Sequence, residues 1–160
     1  MQIDLTGRTA LVTGGSRGIG RAIALRLGGA GAHEVLAGRT RSAMQKAAKR
    51  ISEEGGTASV ATLDVRDVQQ VRDLIDGAVK QTGRLDIMVN NAGLSYPGSI
   101  ADGDPQHWRE MLETNVLALL VGSLAVAPAA AIAANAFAAL CRPGTRSETW
   151  ADSPVRRAVT

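Results

Sequence analysis

A short apolar run, Thr9-Ala10-Leu11-Val12, leads without a break into Thr13-Gly14-Gly15-Ser16-Arg17-Gly18-Ile19-Gly20. Glycine tolerates positive φ and has no Cβ, so Gly14, Gly18 and Gly20 allow a tight strand-to-helix turn. In such a turn backbone N–H groups come within reach of an anion that also meets the positive end of the following helix. The spacing is G-x-x-x-G-x-G, which differs from the G-x-G-x-x-G of the commonest dinucleotide-binding turn. On its own a glycine cluster is equally the mark of a plain turn. The apolar run before it and the helical periodicity after it, through Leu27, make it the head of a βαβ unit that binds a nucleotide.

The chain repeats that alternation. Gly28, Gly29 and Gly31 can end the first helix, and Glu34-Val35-Leu36-Ala37 reads as a second strand. Met44, Ala47, Ala48 and Ile51 then fall at i, i+3, i+4 and i+7 of a helix that Gly55-Gly56 stops. Ser59 to Leu63 is a third strand. Asp67 with Gln70 gives a capping-box start to a helix whose apolar face carries Val68, Val71, Leu74, Ile75, Ala78 and Val79, closed by Gly83. Leu85 to Val89 is the fourth strand and runs into Asn90-Asn91-Ala92-Gly93. Asp104-Pro105 is a good N-cap and N1 pair for a helix with Trp108, Met111, Leu112, Val116 and Leu119 on its inward stripe. Short strands alternating with helices predict an α/β fold with a parallel sheet.

With 160 residues the chain holds one domain. Aromatics are only 2% of it, which leaves an aliphatic core and argues against aromatic readers of single-stranded nucleic acid. The net charge of +3 is spread as arginine along the chain, the pattern of a solvated surface, so no nucleic-acid partner is expected. One cysteine, Cys141, permits neither a disulfide nor a thiolate metal cage, so no metal site is expected. A single thiol and an N-terminus without a signal-like pattern together predict a cytoplasmic protein.

Thr13-Gly14-x-x-x-Gly18-Ile19-Gly20, Asp64-Val65, Asn90-Asn91-Ala92-Gly93 and Asn115 stand in the order and spacing of the short-chain dehydrogenase/reductase family, which residues 1–120 resemble. The resemblance implies a Rossmann-like doubly wound sheet, a bound NAD or NADP, and hydride exchange with a small carbonyl or alcohol substrate. It places Thr13, Gly14, Ser16, Arg17, Gly18, Ile19 and Gly20 at the cofactor phosphates. Asp64 and Val65 would flank the adenine, and Asn91, Ala92 and Gly93 would pass beside a ribose. Asn90 is equally suited to a structural role. Where an acidic residue would favour NAD, this chain has Gly38-Arg39-Thr40-Arg41, and Arg39 with Arg17 predicts NADP over NAD. Arg41 reads as a surface charge.

In the family, the residue matching Asn115 holds a water in a proton relay, and it is the one member of the catalytic set carried over here. It lies at i+4 from Met111 and i+7 from Trp108, which predicts a buried amide bonded to backbone or water. The family's Tyr-x-x-x-Lys is absent from these residues: the single tyrosine, Tyr96, is followed four positions on by Ile100, and the last lysine is Lys80. Turnover by this chain is therefore not expected. A non-catalytic NADP(H)-binding module or a non-functional truncated product are the competing readings.

Val116 to Cys141 carries no charge and is rich in alanine, and the residues after it are polar and irregular. Weakly apolar alanine and a central Pro128 argue against a membrane span. Residues 121–160 therefore read as a divergent tail, helical or irregular. It is either an out-of-frame reading of GC-rich coding DNA or a real segment that has drifted. An incomplete sheet would leave the fourth strand as an exposed edge, inviting aggregation or homo-oligomer contacts.

Overall fold

The computed structural model describes residues 3–98 and 100–126 together with the backbone of Ile132–Ala134. Strands β1 (Thr9–Thr13), β2 (His33–Gly38), β3 (Thr57–Thr62), β4 (Ile87–Val89) and β5 (Ile132–Ala134) form one parallel sheet in the order β3-β2-β1-β4-β5. Helices α1 (Gly18–Gly29), α2 (Arg41–Glu53), α3 (Val68–Thr82), α4 (Pro105–Leu112) and α5 (Ala118–Val126) connect them, with a π-helical turn at Glu113–Leu117 joining the last two.

Both faces of the sheet are covered, and the period-2 alternation of β-strands divides the core accordingly. Leu11, Val35, Ala37 and Met88 pack with Val71, Ile75 and Ala78 of α3 and Val126 of α5. Val12 and Leu36 point the other way, onto Ala24 of α1 and Met44, Ala47 and Ile51 of α2. The capping signals work as read. The Asp67 carboxylate accepts from the N–H groups of Gln69 and Gln70 while the Gln70 side chain bonds back to it, and Gly83 ends α3 at φ +79°. Asp104 caps α4 ahead of Pro105.

Two expectations are corrected. The fourth strand is not an edge, because β5 pairs with it in parallel, Met88 opposite Ala133. Three residues are too short for the period-2 signal by which a strand is read, and an alanine-rich segment supplies little of the β-branched signature. The inward stripe of the fourth crossover is also different. Trp108, Leu112 and Val116 are exposed, and the buried positions are Thr114, Ala118, Gly122 and Val126. The π turn inserts a residue into the helical period, so an i, i+3/i+4 pattern projected across it lands on the wrong face. Residues 127–131 and 135–160, most of the predicted tail, lie outside the described residues; α5 itself runs through position 120.

At the N-terminal end of the strands Asp86 is 6% exposed and accepts hydrogen bonds from the Thr9 N–H and the guanidinium groups of Arg8 and Arg84. Those bonds, led by Arg84, hold its carboxyl well down, at about 2. Asp86 thereby ties the start of β1 to the start of β4. Asp86→Ala is expected to lower the free energy of urea unfolding by about 2 kcal/mol at neutral pH. Because the folded carboxyl titrates below its unfolded value, that contribution is complete above about pH 4 and fades as pH falls through about 2.

Candidate functional site

The strand order reverses direction between β1 and β4: β2 and β3 lie to one side of β1, and β4 and β5 to the other. In open parallel sheets the crevice beyond the C-terminal strand ends at such a switch point is where ligands bind. Here that crevice is a cavity of about 690 Å³ lined by the glycine turn, by Gly38, Arg39, Thr40 and Ala43 after β2, by Leu63 to Arg66 after β3, by Asn91 to Leu94 after β4, and by Thr114.

Thr13 closes the back of the site. Its buried hydroxyl accepts from the N–H groups of Asn91 and Ala92, both at 3.0 Å, and donates to the Val89 carbonyl. Asn91 answers through its side-chain amide, which donates to the Thr13 and Gly14 carbonyls. The turn after β1 and the segment after β4 are thus stitched into one unit. Two glycines are demanded by that closeness. At Gly14 (φ +68°) a Cβ would lie 2.9 Å from the Asn91 amide nitrogen, and at Gly20 it would overlap the Gly14 carbonyl and the same amide.

The first turn of α1 faces the cavity with no side-chain cap, whereas α3 and α4 both begin on an aspartate. Its leading N–H groups are therefore free to meet an anion. Arg17 and Arg39 line the cavity, and neither side chain has a hydrogen-bonding or ion-paired partner among the described residues. Arg41 lies outside the lining and reaches the Val60 carbonyl at 3.5 Å. The donor set thus fits a dinucleotide: uncapped helical N–H groups, turns in which a Cβ would collide, and uncommitted guanidiniums.

The structure brings Gly14, Ser16, Arg17, Gly18, Ile19, Gly20, Arg39, Asp64, Val65, Asn91, Ala92 and Gly93 together around this cavity, with Thr13 directly behind it. Asn90 turns away to Ser123 of α5 at 3.5 Å. Asn115 departs from expectation. It is exposed on the π turn, where its amide clamps the backbone of Leu94, accepting from the N–H at 2.9 Å and donating to the carbonyl at 2.8 Å. The predicted backbone pairing is present, but the predicted burial is not, for the same reason that moved the helical stripe.

Sequence reasoning missed Arg66 and Thr114. Arg66 lines the cavity and grips the Asp64 carboxylate. The Thr114 hydroxyl is buried without a hydrogen-bond partner among the described residues. The only signal for Arg66 was an arginine two residues beyond an expected adenine contact. Tyr96 stacks on His107 with ring centroids 3.9 Å apart and donates to Glu110 at 2.7 Å. That bond raises its phenol pKa, the reverse of what a proton-exchanging tyrosine needs. Among the described residues no cluster of His, Cys, Asp or Glu could hold a metal, and no helix is long and apolar enough to cross a membrane.

The sequence matches the short chain dehydrogenase family over residues 8–136. An uncharacterized oxidoreductase of Staphylococcus saprophyticus is 35% identical over 127 residues, covering 79% of this chain and 54% of the relative. Gluconate 5-dehydrogenase of Gluconobacter oxydans is 37% identical, covering 78% and 48%. The crystal structure of a Burkholderia cenocepacia short chain dehydrogenase in complex with NADP superposes with a TM-score of 0.75 at 38% identity, over 79% of this chain and 52% of that one. The chain spans about half the length of the curated relatives it matches. A parallel sheet with a glycine turn at its switch point, and sequence and structural kinship along most of the chain, have one meaning: the chain belongs to the short-chain dehydrogenase family of oxidoreductases.

Proposed function

We propose that this chain is the NADP(H)-binding portion of a short-chain oxidoreductase and that these residues alone do not complete a turnover. The observation that carries the reading is the pair of uncommitted guanidiniums, Arg17 and Arg39, at the cavity where the family holds its dinucleotide. A 2′-phosphate is a bidentate partner for such groups, and no carboxylate follows β2 to accept ribose hydroxyls instead. The NADP complex of the Burkholderia cenocepacia relative supports the same choice.

The residues divide the work. The first N–H groups of α1 and the turn around Gly14 and Gly18 hold the pyrophosphate, Arg17 and Arg39 hold the 2′-phosphate, and Asp64 with Val65 holds the adenine. Thr13 and Asn91 keep the turn and the segment after β4 at fixed separation. Asn115 holds Leu94, and through it the chain beside the ribose; a water relay through Asn115 uses the remaining lone pair on Oδ1 and the remaining N–H on Nδ2. Bound NADP(H) supplies a nicotinamide that exchanges hydride with a carbonyl or alcohol. Tyr96 is tied to Glu110 and has no lysine four residues on, so no phenol here takes the proton.

Titration with NADPH and NADH, followed by nicotinamide fluorescence and thermal unfolding together, tests the reading. Saturable NADPH binding that raises the melting temperature, with NADH weaker, is the expected result. Arg39→Ala is expected to weaken NADPH by about 10- to 100-fold, the loss of one charged hydrogen-bonding group, and to leave NADH within about 2-fold. Equal affinity of wild type for the two nucleotides would overturn the NADP assignment. A cooperative melt with no response to either would overturn cofactor binding itself.

A further inference from the structure

The Asp64 carboxylate is almost fully occupied. Its Oδ1 accepts the Arg66 backbone N–H at 3.0 Å and the guanidinium Nε at 3.1 Å, and its Oδ2 accepts Nη2 at 2.7 Å. Nε also leans toward Oδ2 at 3.3 Å. A carboxylate oxygen has two lone-pair sites; Nε carries a single hydrogen whose shorter leg is to Oδ1, so Oδ1 is filled by Nε and the backbone N–H, while Oδ2 holds Nη2 on the side of the guanidinium and keeps its other acceptor position. Both side chains are about one-third exposed, and both line the cavity beside Arg39. The charges around the pair are Arg39, which acts on Asp64, and Glu110 and Glu113, which act on Arg66 from the α4 side.

We infer that Arg66 is a positioning residue for base recognition: by gripping Asp64 through two side-chain nitrogens and its own N–H, it leaves a single aimed acceptor on Oδ2 that selects a purine carrying a 6-amino group over one carrying a 6-oxo group. The inference rests on the nicotinamide-dinucleotide reading above and adds a residue that reading does not need.

The selection follows from the sign of the partners. An amino group donates to Oδ2. A 6-oxo group turns a second acceptor toward the ionised Oδ2 at the point where the amino group would donate; the N1–H that such a base carries lies one ring atom along the edge, so the aimed contact becomes repulsive and the base must shift to regain a bond. Without Arg66 two things change. The carboxylate regains rotational freedom, with the Arg39 guanidinium as its nearest remaining cationic partner. Its ionised form also loses its main support, since the Arg66 hydrogen bond is the largest cause holding the Asp64 pKa down.

The experiment is a direct binding titration of wild type, Arg66→Ala and Arg66→Lys with NADPH and with its hypoxanthine analogue, in which oxygen replaces the 6-amino group. Thermal melts in the absence of nucleotide check that each variant is folded. Wild type is expected to bind NADPH at least about 10-fold tighter than the analogue. In Arg66→Ala that ratio should fall to about 2 or below through loss of NADPH affinity, with the analogue nearly unchanged. Arg66→Lys keeps the charge but not the fork and should recover only part of the ratio. Equal weakening of both nucleotides in a folded Arg66→Ala variant, or an unchanged ratio, would overturn the inference while leaving cofactor binding standing. Silence of wild type toward both nucleotides would overturn the underlying reading as well.

Discussion

Replacing Glu34 with leucine is expected to stabilise the protein, and to do so more the higher the pH. Glu34 lies in β2 between Ala10 and Ala58 in register, is 0% exposed, and neither carboxyl oxygen has a hydrogen-bond partner among the described residues. Its Cγ lies against Gly28 of α1, beside Ile51 of α2. Burial raises its pKa to about 8 from 4.5, because a charged carboxylate there would lose its hydration without gaining a cation. The sign is that of an acid whose folded value lies above its unfolded one. Below about pH 4.5 both states hold the proton and the group is neutral to stability. Between about 4.5 and 8 only the folded state holds it, so stability falls by about 1.4 kcal/mol per pH unit, and above about 8 the loss levels off. The full cost is on the order of 5 kcal/mol, a large share of the stability of a domain of this size. Urea unfolding of wild type, Glu34→Leu and Glu34→Gln between pH 5 and 9 measures it. Glu34→Leu should exceed wild type by several kcal/mol at pH 8.5 and by far less at pH 5. Glu34→Gln should lose the slope yet recover only part of the stability, since its amide is still unpaired. A Glu34→Gln variant that keeps the wild-type slope would place the titrating group elsewhere.

That carboxyl also shows what the sequence disclosed and what it hid. Strands β1 to β4 and the helices between them were legible because each carries its own punctuation: the glycines after β1, the Asp67 and Asp104 caps, Gly83. Glu34 sits inside a strand assigned from its neighbours Val35, Leu36 and Ala37, and nothing local says whether a glutamate at the start of such a run is solvated or enclosed. Only the packing of α1 over β2 decides. The fourth crossover was misread for a similar reason. Periodicity projected from Trp108 and Met111 assumes one helical pitch, and the π turn at Glu113–Leu117 breaks it. The cavity was legible where motifs recur at fixed spacing, from Thr13 to Gly20 and from Asn91 to Gly93. Arg66 was not, since an arginine beside an aspartate gives no hint in one dimension that the two side chains close on each other instead of on a ligand.

Gly20→Ala is expected to abolish cofactor binding, while Gly18→Ala only weakens it, although both alter the same turn by one methyl group. The difference is what each new carbon meets. At Gly20 it would overlap the Gly14 carbonyl oxygen and the Asn91 side-chain amide, and the first of these is backbone that cannot rotate away. To make room, the turn must lift off the segment after β4. That breaks the Asn91 bonds to the Thr13 and Gly14 carbonyls and moves the N–H groups that would face the pyrophosphate. At Gly18 nothing lies within 4 Å of the new carbon; the cost there is only the backbone conformation, φ +53°, which an alanine adopts at about 1 kcal/mol. In thermal unfolding Gly18→Ala should therefore stay close to wild type and bind NADPH within about 10-fold. Gly20→Ala should lose about 2–3 kcal/mol of stability, the usual cost of overpacking, and show no saturable binding. If Gly20→Ala bound as well as Gly18→Ala, the close contact between the turn and Asn91 would not be what shapes the site. If Gly18→Ala were the more damaging of the two, positive φ would matter more to the turn than the space around it.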